Sequence, residues 1–461
     1  MPISNPALEE FRSGFRGAVR TPGDTDYDEA RKVYNFMIDR KPAVVAHCAD
    51  AADVIATVGL ARDAGVDLAV RGGGHSVPGF GTVDDGVVVD LSAMRGVRVD
   101  PQRRTARVEG GATLGDLDHA THAFGLATVG GIISTTGVAG LTLGGGYGYL
   151  SRKYGLSIDN LLSADVVTAD GSLVTASAEE NGDLFWALKG GSGNFGVVTS
   201  FEFALHEVDR VLTGPIFYDI DRAPEVLRLF DEFIDDAPEE FGGFSMFQIG
   251  PPADFVPEQY QGVTMCAIMT CWAGSMSDGE KVLRPLREFD PLIDAVHEAP
   301  YPAIQSAFDG LVPRGLRHYW KAAFCDDLTD ELVAAHVEHG PKVPVVNSTV
   351  HLYPLGGAVG RVGKTDTAFW HRDARYNPVI AGMWPDPNDD EANTAWVRDY
   401  YAALAPHSRE GGYINFLAED DRARLKAVYG DNWQRLTEVK AAWDPDNVFH
   451  VNQNIPPGGL T

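Results

Sequence analysis

The sequence predicts an α+β protein of two domains, and three observations carry that prediction. At 461 residues the chain is too long for one ordinary core. Over its first two hundred residues, short apolar runs alternate with amphipathic stretches that stop at glycine. From about residue 206 the texture shifts to longer apolar strands separated by helical stretches, the pattern of an antiparallel sheet backed by helices on one face. The expected division is 1–205, itself two α+β subdomains, then 206–408, then a tail over 409–461.

Taken in order, PAVVAHCA (42–49) reads as a strand, ADVIATVGLARDAG (52–65) as a helix ending in glycine, and VDLAV (66–70) as a second strand. GVVVDLS (86–92), VRVD (97–100) and TARVEGGA (105–112) read as short strands, and LGDLDHATHAFG (114–125) as another helix. In the second domain TGPIFYDI, FGGFSMFQIG, GVTMCAIMTCWAG and NPVIAGMW are strand-like, whereas PEVLRLFDEFID and DELVAAHVEHG are helical. The tail from Tyr429 holds a short helix, an Asp-Pro turn and an irregular aromatic-rich end.

Composition excludes several partners. The net charge is −27, with acidic runs at 235–236 and 385–391; such a surface repels phosphate backbones and serves solubility. No apolar run approaches the roughly 20 residues of a membrane span, so no membrane partner is expected. The start, MPISNPALEEFRSG, lacks a basic, then apolar, then small-residue order, which favours the cytoplasm. Cys48, Cys266, Cys271 and Cys325 match no zinc spacing and read as buried thiols. His119 and His122 share a helix face without a third ligand nearby, so no metal is expected.

Glycine is dense at 71–76 (RGGGHS), at 129–148 (VGGIISTTGVAGLTLGGGYG) and at 184–203 (LFWALKGGSGNFGVVTSFEF). Apolar residues interleave these glycines, so the segments are packed and not linkers. With few basic residues nearby, they point to a phosphate-bearing cofactor held by main-chain N–H groups. Gly191-Ser-Gly193-Asn-Phe-Gly196 spells G-x-G-x-x-G, but a helix precedes it and a strand follows, the reverse of the dinucleotide fingerprint. A P-loop and a G-x-S-x-G nucleophile elbow are both absent.

Three long segments, RGGGHSVPGFGTVDDGVVVDLS, GGGYGYLSRKYGLSIDNLLSADVVTADG and DLFWALKGGSGNFGVVTSFEF, resemble the FAD-linked oxidases of the vanillyl-alcohol-oxidase superfamily. YINF and YGDNWQRLTEVKAAWDPDNVFHVNQNIPP resemble the berberine-bridge-enzyme tail. The resemblance runs from about residue 40 to the last proline pair. It implies a two-part PCMH-type FAD-binding domain over 1–205, a substrate domain over 206–408, and a tail that returns to the first domain.

By that resemblance Arg71, Gly72, Gly73, Gly74, Ser76 and Gly79 belong to the turn around the FAD pyrophosphate, and His75 bonds the flavin 8α-methyl covalently. A neutral imidazole nitrogen is a competent nucleophile for that bond. Gly130, Thr135, Thr136, Gly137 and Gly140 are expected along the flavin, with Val138 where relatives control oxygen access. Val197 is expected at the adenine end, and Tyr413, Asn415 and Asn452 at the isoalloxazine. Many relatives carry a second tether, a cysteine eleven residues before G-G-G-Y-G; here that position is Ile133, so one tether is expected.

The proton acceptor departs from the family pattern. Relatives carry Y-x-N-Y, and here Tyr413-Ile414-Asn415-Phe416 ends in a residue that cannot take a proton. The catalytic candidates are Tyr413, His351 and Tyr353, with Tyr376 also in reach of the substrate domain. Trp384, Tyr353 and Phe416 could supply an aromatic wall. The expected activity is an oxidase: hydride passes from an alcohol, sugar, phenolic or alkaloid-like small molecule to the flavin, and O2 reoxidises it to give H2O2. A dehydrogenase using another acceptor, or a flavin-binding tailoring protein without redox turnover, are the alternatives. A monomer or homodimer is expected.

Overall fold

The computed structural model describes residues 3–458. Helix Ala51–Ala64 starts where the Asp50 carboxylate accepts from the N–H of Ala52 and Asp53. It stops at Gly65, whose φ of 63° suits glycine and costs other residues about 1 kcal/mol. Strands Val44–His47, Val87–Asp90 and Leu68–Arg71 pair in parallel around it, with Ala18–Arg20 antiparallel at the edge. Val87–Asp90 is buried on both faces, which is why VVVD is a continuous apolar run. Arg71 ends its strand beside Asp90, so the glycine turn leaves from the carboxyl ends of the parallel strands, where such sheets hold ligands.

A second sheet is antiparallel throughout, in the order Val97–Asp100, Thr105–Glu109, Val197–Ala204, Leu161–Val167, Leu173–Ser177. The third has eight strands. Its path runs Ile293–Asp294, Arg210–Tyr218, Thr264–Trp272, Phe244–Ile249, Thr349–Pro354, Tyr376–Trp384, Arg317–Ala322, with His297–Pro300 also beside Arg210–Tyr218. Helices Ala223–Asp236, Asp330–His339 and Asp390–Leu404 cover one face of it around a core that includes Phe230, Leu332 and Tyr400. The other face looks into a large cavity.

The tail is clamped to a glycine-rich segment. Lys440 and Asp444 are fully buried one helical turn apart; Lys440 Nζ donates to Asp444 at 2.5 Å, to Asn194 O at 2.7 Å and to Phe449 O at 2.9 Å. Asp444 in turn accepts from the N–H of Val448 and Phe449. Every partner is satisfied, the condition on which a buried ion pair is tolerated. Among the described residues no helix is long and apolar enough to cross a membrane.

Candidate active site

The turn 71–76 shapes one wall of a cavity of about 320 Å³. No protein acceptor meets the N–H of Gly73, Gly74, His75 or Ser76 among the described residues, so the turn presents a row of unspent donors. The Arg71 guanidinium is not among them. It is 6% exposed and committed to Asp90 at 2.7 Å and to the carbonyls of Ala30 and Lys32. Asp90 also holds His47 at 2.7 Å; burial pushes its carboxyl up, but the hydrogen bonds from His47 and Arg71 and the Arg71 charge keep it well below the usual range. Arg71 therefore braces the turn, and the turn's anion-binding capacity is main chain.

The glycines serve close approach as well. A Cβ on Gly73 would lie 2.4 Å from Gly137 N, so the first two glycine-rich segments touch backbone to backbone. At Gly144 it would lie 2.2 Å from Asn415 Oδ1, bringing the tail against the second segment. Asn415 Nδ2 donates to Leu141 O at 3.0 Å and to the Tyr413 hydroxyl at 2.9 Å, fastening that contact.

His75 lies half-buried at the cavity wall. Its ring stacks on Tyr34 with 3.7 Å between centroids, and its Nε2 is 3.1 Å from Thr135 Oγ1. Burial, with the neighbouring His318 as the lesser cause, lowers its pKa to about 3, so the imidazole is neutral. Gly72, Gly74, Ser76, Thr136, Gly137 and Gly140 also line the cavity, as do Ile133, Ser192 and Gly193. The GSGNFG segment thus reaches the site although it is no dinucleotide fingerprint.

Four expected cofactor positions sit behind the wall and not on it. Val138 packs into the core while its neighbours Ala139 and Gly140 line the cavity. Val197 turns into the core that includes Val44, Val54 and Val87, leaving Gly196 and Val198 to the cavity. Gly130 supports Gly148, whose Cβ would lie 2.4 Å from Gly130 O. Gly79, at φ 77°, shapes the end of the turn and accepts from Arg40 at 3.0 Å. Asn452 does reach the cavity: its Nδ2 donates to Gly193 O at 2.9 Å, leaving Oδ1 without a protein partner.

The opposite wall is the sheet face. His351 and Tyr353 are two residues apart on one strand and so point the same way; His351 Nδ1 lies 2.7 Å from the Tyr353 hydroxyl. His351 Nε2 is buried without a partner. Burial lowers the His351 pKa to about 3 and raises that of Tyr353, so both are neutral. Tyr413 also lines the cavity, but its hydroxyl oxygen already accepts from Gly146 N–H and Asn415 Nδ2, each at 2.9 Å. Burial nevertheless raises its pKa, and the phenol stays protonated.

Strand parity corrects two expectations. Val379, Ala381 and Met383 face the cavity, so Tyr376 and Trp384 face the helices. Tyr376 donates to Asp231 at 2.7 Å and Trp384 to Asp390 at 2.7 Å, and neither touches the site. Phe416 and Tyr353 do form the aromatic wall, joined by Tyr147. Sequence reasoning missed Tyr34, His318, Gln248 and Trp320, all on the cavity. Only period-two reading of two strands, Phe244–Ile249 and Arg317–Ala322, in known register could have found the last three.

The donor set suits FAD: unspent N–H groups for a pyrophosphate, a neutral histidine beside them and a long apolar slot. Comparison with known proteins agrees. A family model described as FAD binding domain matches residues 42–177, and one described as berberine and berberine like matches 412–456. A FAD-linked oxidoreductase of Dictyostelium discoideum is 31% identical, covering 98% of this chain and 97% of its own. The (R)-6-hydroxynicotine oxidase of Paenarthrobacter nicotinovorans is 30% identical over 96% of this chain and 97% of its own. Among solved structures, 6-hydroxy-D-nicotine oxidase from Arthrobacter nicotinovorans superposes with a TM-score of 0.83 at 28% identity, covering 96% of this chain and 98% of that one. A xylooligosaccharide oxidase from Myceliophthora thermophila gives 0.84 at 26%, covering 98% and 100%.

Fold and site together define a flavoenzyme. The chain belongs to the berberine-bridge-like family of FAD-linked oxidoreductases, and FAD is its cofactor.

Proposed function

We propose that this protein is an oxidase of a small hydroxylated molecule, with its flavin tethered through His75 alone and O2 as the acceptor, giving H2O2. The observation that carries the substrate half is the buried, unpartnered Nε2 of His351, set on the wall opposite the glycine turn. Bound there, FAD supplies a two-electron acceptor for the hydride.

The protein's own groups divide the remaining work. When His351 Nδ1–H donates to Tyr353, its unpartnered Nε2 keeps a lone pair that can take the substrate hydroxyl proton. Tyr413, loaded with two donors and kept protonated, can orient the substrate with its own O–H but is a poor base. At the other wall, an Nε2–H donated to Thr135 leaves the His75 Nδ1 lone pair free for a carbon–nitrogen bond. Apolar walls and main-chain donors exclude water and hold the ring in place.

Anaerobic addition of an alcohol panel tests the reading. A substrate should bleach the flavin, and admitted air should restore the colour with one H2O2 per turnover. Slow recolouring in air would instead favour the dehydrogenase, and no bleaching by any alcohol a flavin-binding protein without turnover.

A further inference from the structure

The sheet wall carries more information than a place for the proton. Four strands face the cavity in register: Gln248 stands opposite Thr349, Thr349 opposite Ala381, and Ala381 opposite Trp320. The next row sets Met246 opposite His351 and His351 opposite Val379. Among the described residues, no Asp, Glu or Lys lines the cavity, and the lone arginine, Arg71, is spent on Asp90. The basic residues of these strands lie at the other parity: Arg317 pairs with Asp390, and Lys321 with Asp420 and Asp421.

Beyond the unpartnered ring nitrogens of His318 and His351 Nε2, the polar atoms on this wall are few and directional. Gln248 is 2% exposed; its Nε2 donates to Val346 O at 2.7 Å and to Ile249 O at 3.3 Å. That fixes the amide with Oε1 unpartnered, an atom that can only accept. Trp320 Nε1 is likewise unpartnered and can only donate. Phe308, Leu311 and Met383 line the same cavity and offer an apolar surface.

A charged ligand would lose its hydration here and find no counter-ion, so the wall disfavours it steeply. A sugar would bring more hydroxyls than this wall has partners, leaving several unpaired. We propose that Gln248 and Trp320 are specificity-determining residues that select an uncharged, flat, ring-bearing molecule, Gln248 accepting from a hydroxyl or N–H remote from the one that reacts. Carboxylates, phosphates and ammonium compounds are excluded by the same wall. The proposal rests on the oxidase reading only for which end of the molecule is oxidised.

The test is calorimetric binding to the purified holoprotein of three matched probes: 6-(hydroxymethyl)-2-naphthol, 6-hydroxy-2-naphthoate and (6-hydroxy-2-naphthyl)methylammonium. In the unaltered protein the neutral diol should bind at least about tenfold tighter than either ion, the scale of one buried hydrogen bond to a charge. Gln248→Leu should weaken all three probes about tenfold, since each carries the naphthol hydroxyl, and keep the order. Gln248→Glu should make the ammonium probe the tightest, bound with its ammonium turned to the new carboxylate, a change of rank that loss of packing cannot produce. Failure of the diol to bind more tightly than both ions, including no binding by any probe, overturns the proposal. So does an unchanged rank in Gln248→Glu with a normal flavin spectrum and melting curve. Flavin bleaching is scored separately: bleaching by charged alcohols with the rank reversed defeats the selectivity alone, whereas the expected rank without bleaching defeats the oxidase reading alone.

Discussion

The cavity has two walls that work by different physics. The glycine-rich wall acts through main chain: its side chains are absent or, like Arg71, turned away to brace the turn. The sheet wall acts through side chains, a few polar atoms set among rings and methyls on one face of four strands. A main-chain site is written as a contiguous run of residues. A side-chain site on a sheet is scattered over the chain and assembled by register and parity.

That contrast can be broken most directly at Gly73. Gly73→Ala places a methyl 2.4 Å from Gly137 N, and backbone cannot yield as a side chain can. We expect near-complete loss of bound FAD, read from the ratio of flavin to protein absorbance. Gly59→Ala, in helix Ala51–Ala64 away from the cavity and with nothing within 4 Å of the new methyl, should keep the fold and the FAD. Equal losses in both variants would mean that close approach is not what the glycines provide.

On the sheet wall, His351→Ala should lower kcat by about 10²–10³-fold, the usual scale of one general base, with flavin content unchanged. A wild-type rate would transfer the role to Tyr413. His75→Ala sharpens the first wall in turn. The protein should still bind FAD, but acid denaturation should release all of it, whereas the unaltered chain should stay fluorescent on a denaturing gel.

Acid should act on both walls alike, since burial also lowers the His75 pKa to about 3. Burial holds His318 and His351 neutral, with pKa values of about 4 and 3 against 6.5 when exposed. The unfolded chain takes up protons below pH 6.5 and the native one does not, so stability falls as pH drops from about 6.5 toward 4. Asp118 acts in the opposite sense: burial raises its carboxyl to about 7, which weakens the fold as pH rises from 3.8 toward 7. Melting temperatures from pH 7 to 4.5 should fall, and His318→Asn should flatten that slope.

The smallest effect belongs to the far side of the same strand. Tyr376→Phe removes one hydrogen bond to Asp231, beneath the helices, and should cost about 1 kcal/mol of stability with no change in kcat or KM. Altered kinetics there would contradict the parity that separates cavity from helix face.

Much of the fold class could be read from the chain, because hydrophobic period, glycine stops and the shift near residue 206 are local signals. RGGGHS could be read for the same reason: a main-chain site is written in a few consecutive letters. The sheet wall could not. His351 and Tyr353 could be named as candidates, but Tyr376 and Trp384 were equally eligible until the register turned them toward the helices. Arg71 stands in the motif like a phosphate ligand, and only its buried neighbour Asp90 turns it into a brace.

The sequence by itself determined the family, the FAD cofactor and the backbone turn with its histidine, because those depend on short-range geometry that adjacent residues set. The tertiary structure decided which side chains share the opposite wall, which carry no partner and which charges are already spent. Those properties come from strands far apart in the chain, where a shift of one residue exchanges the two faces.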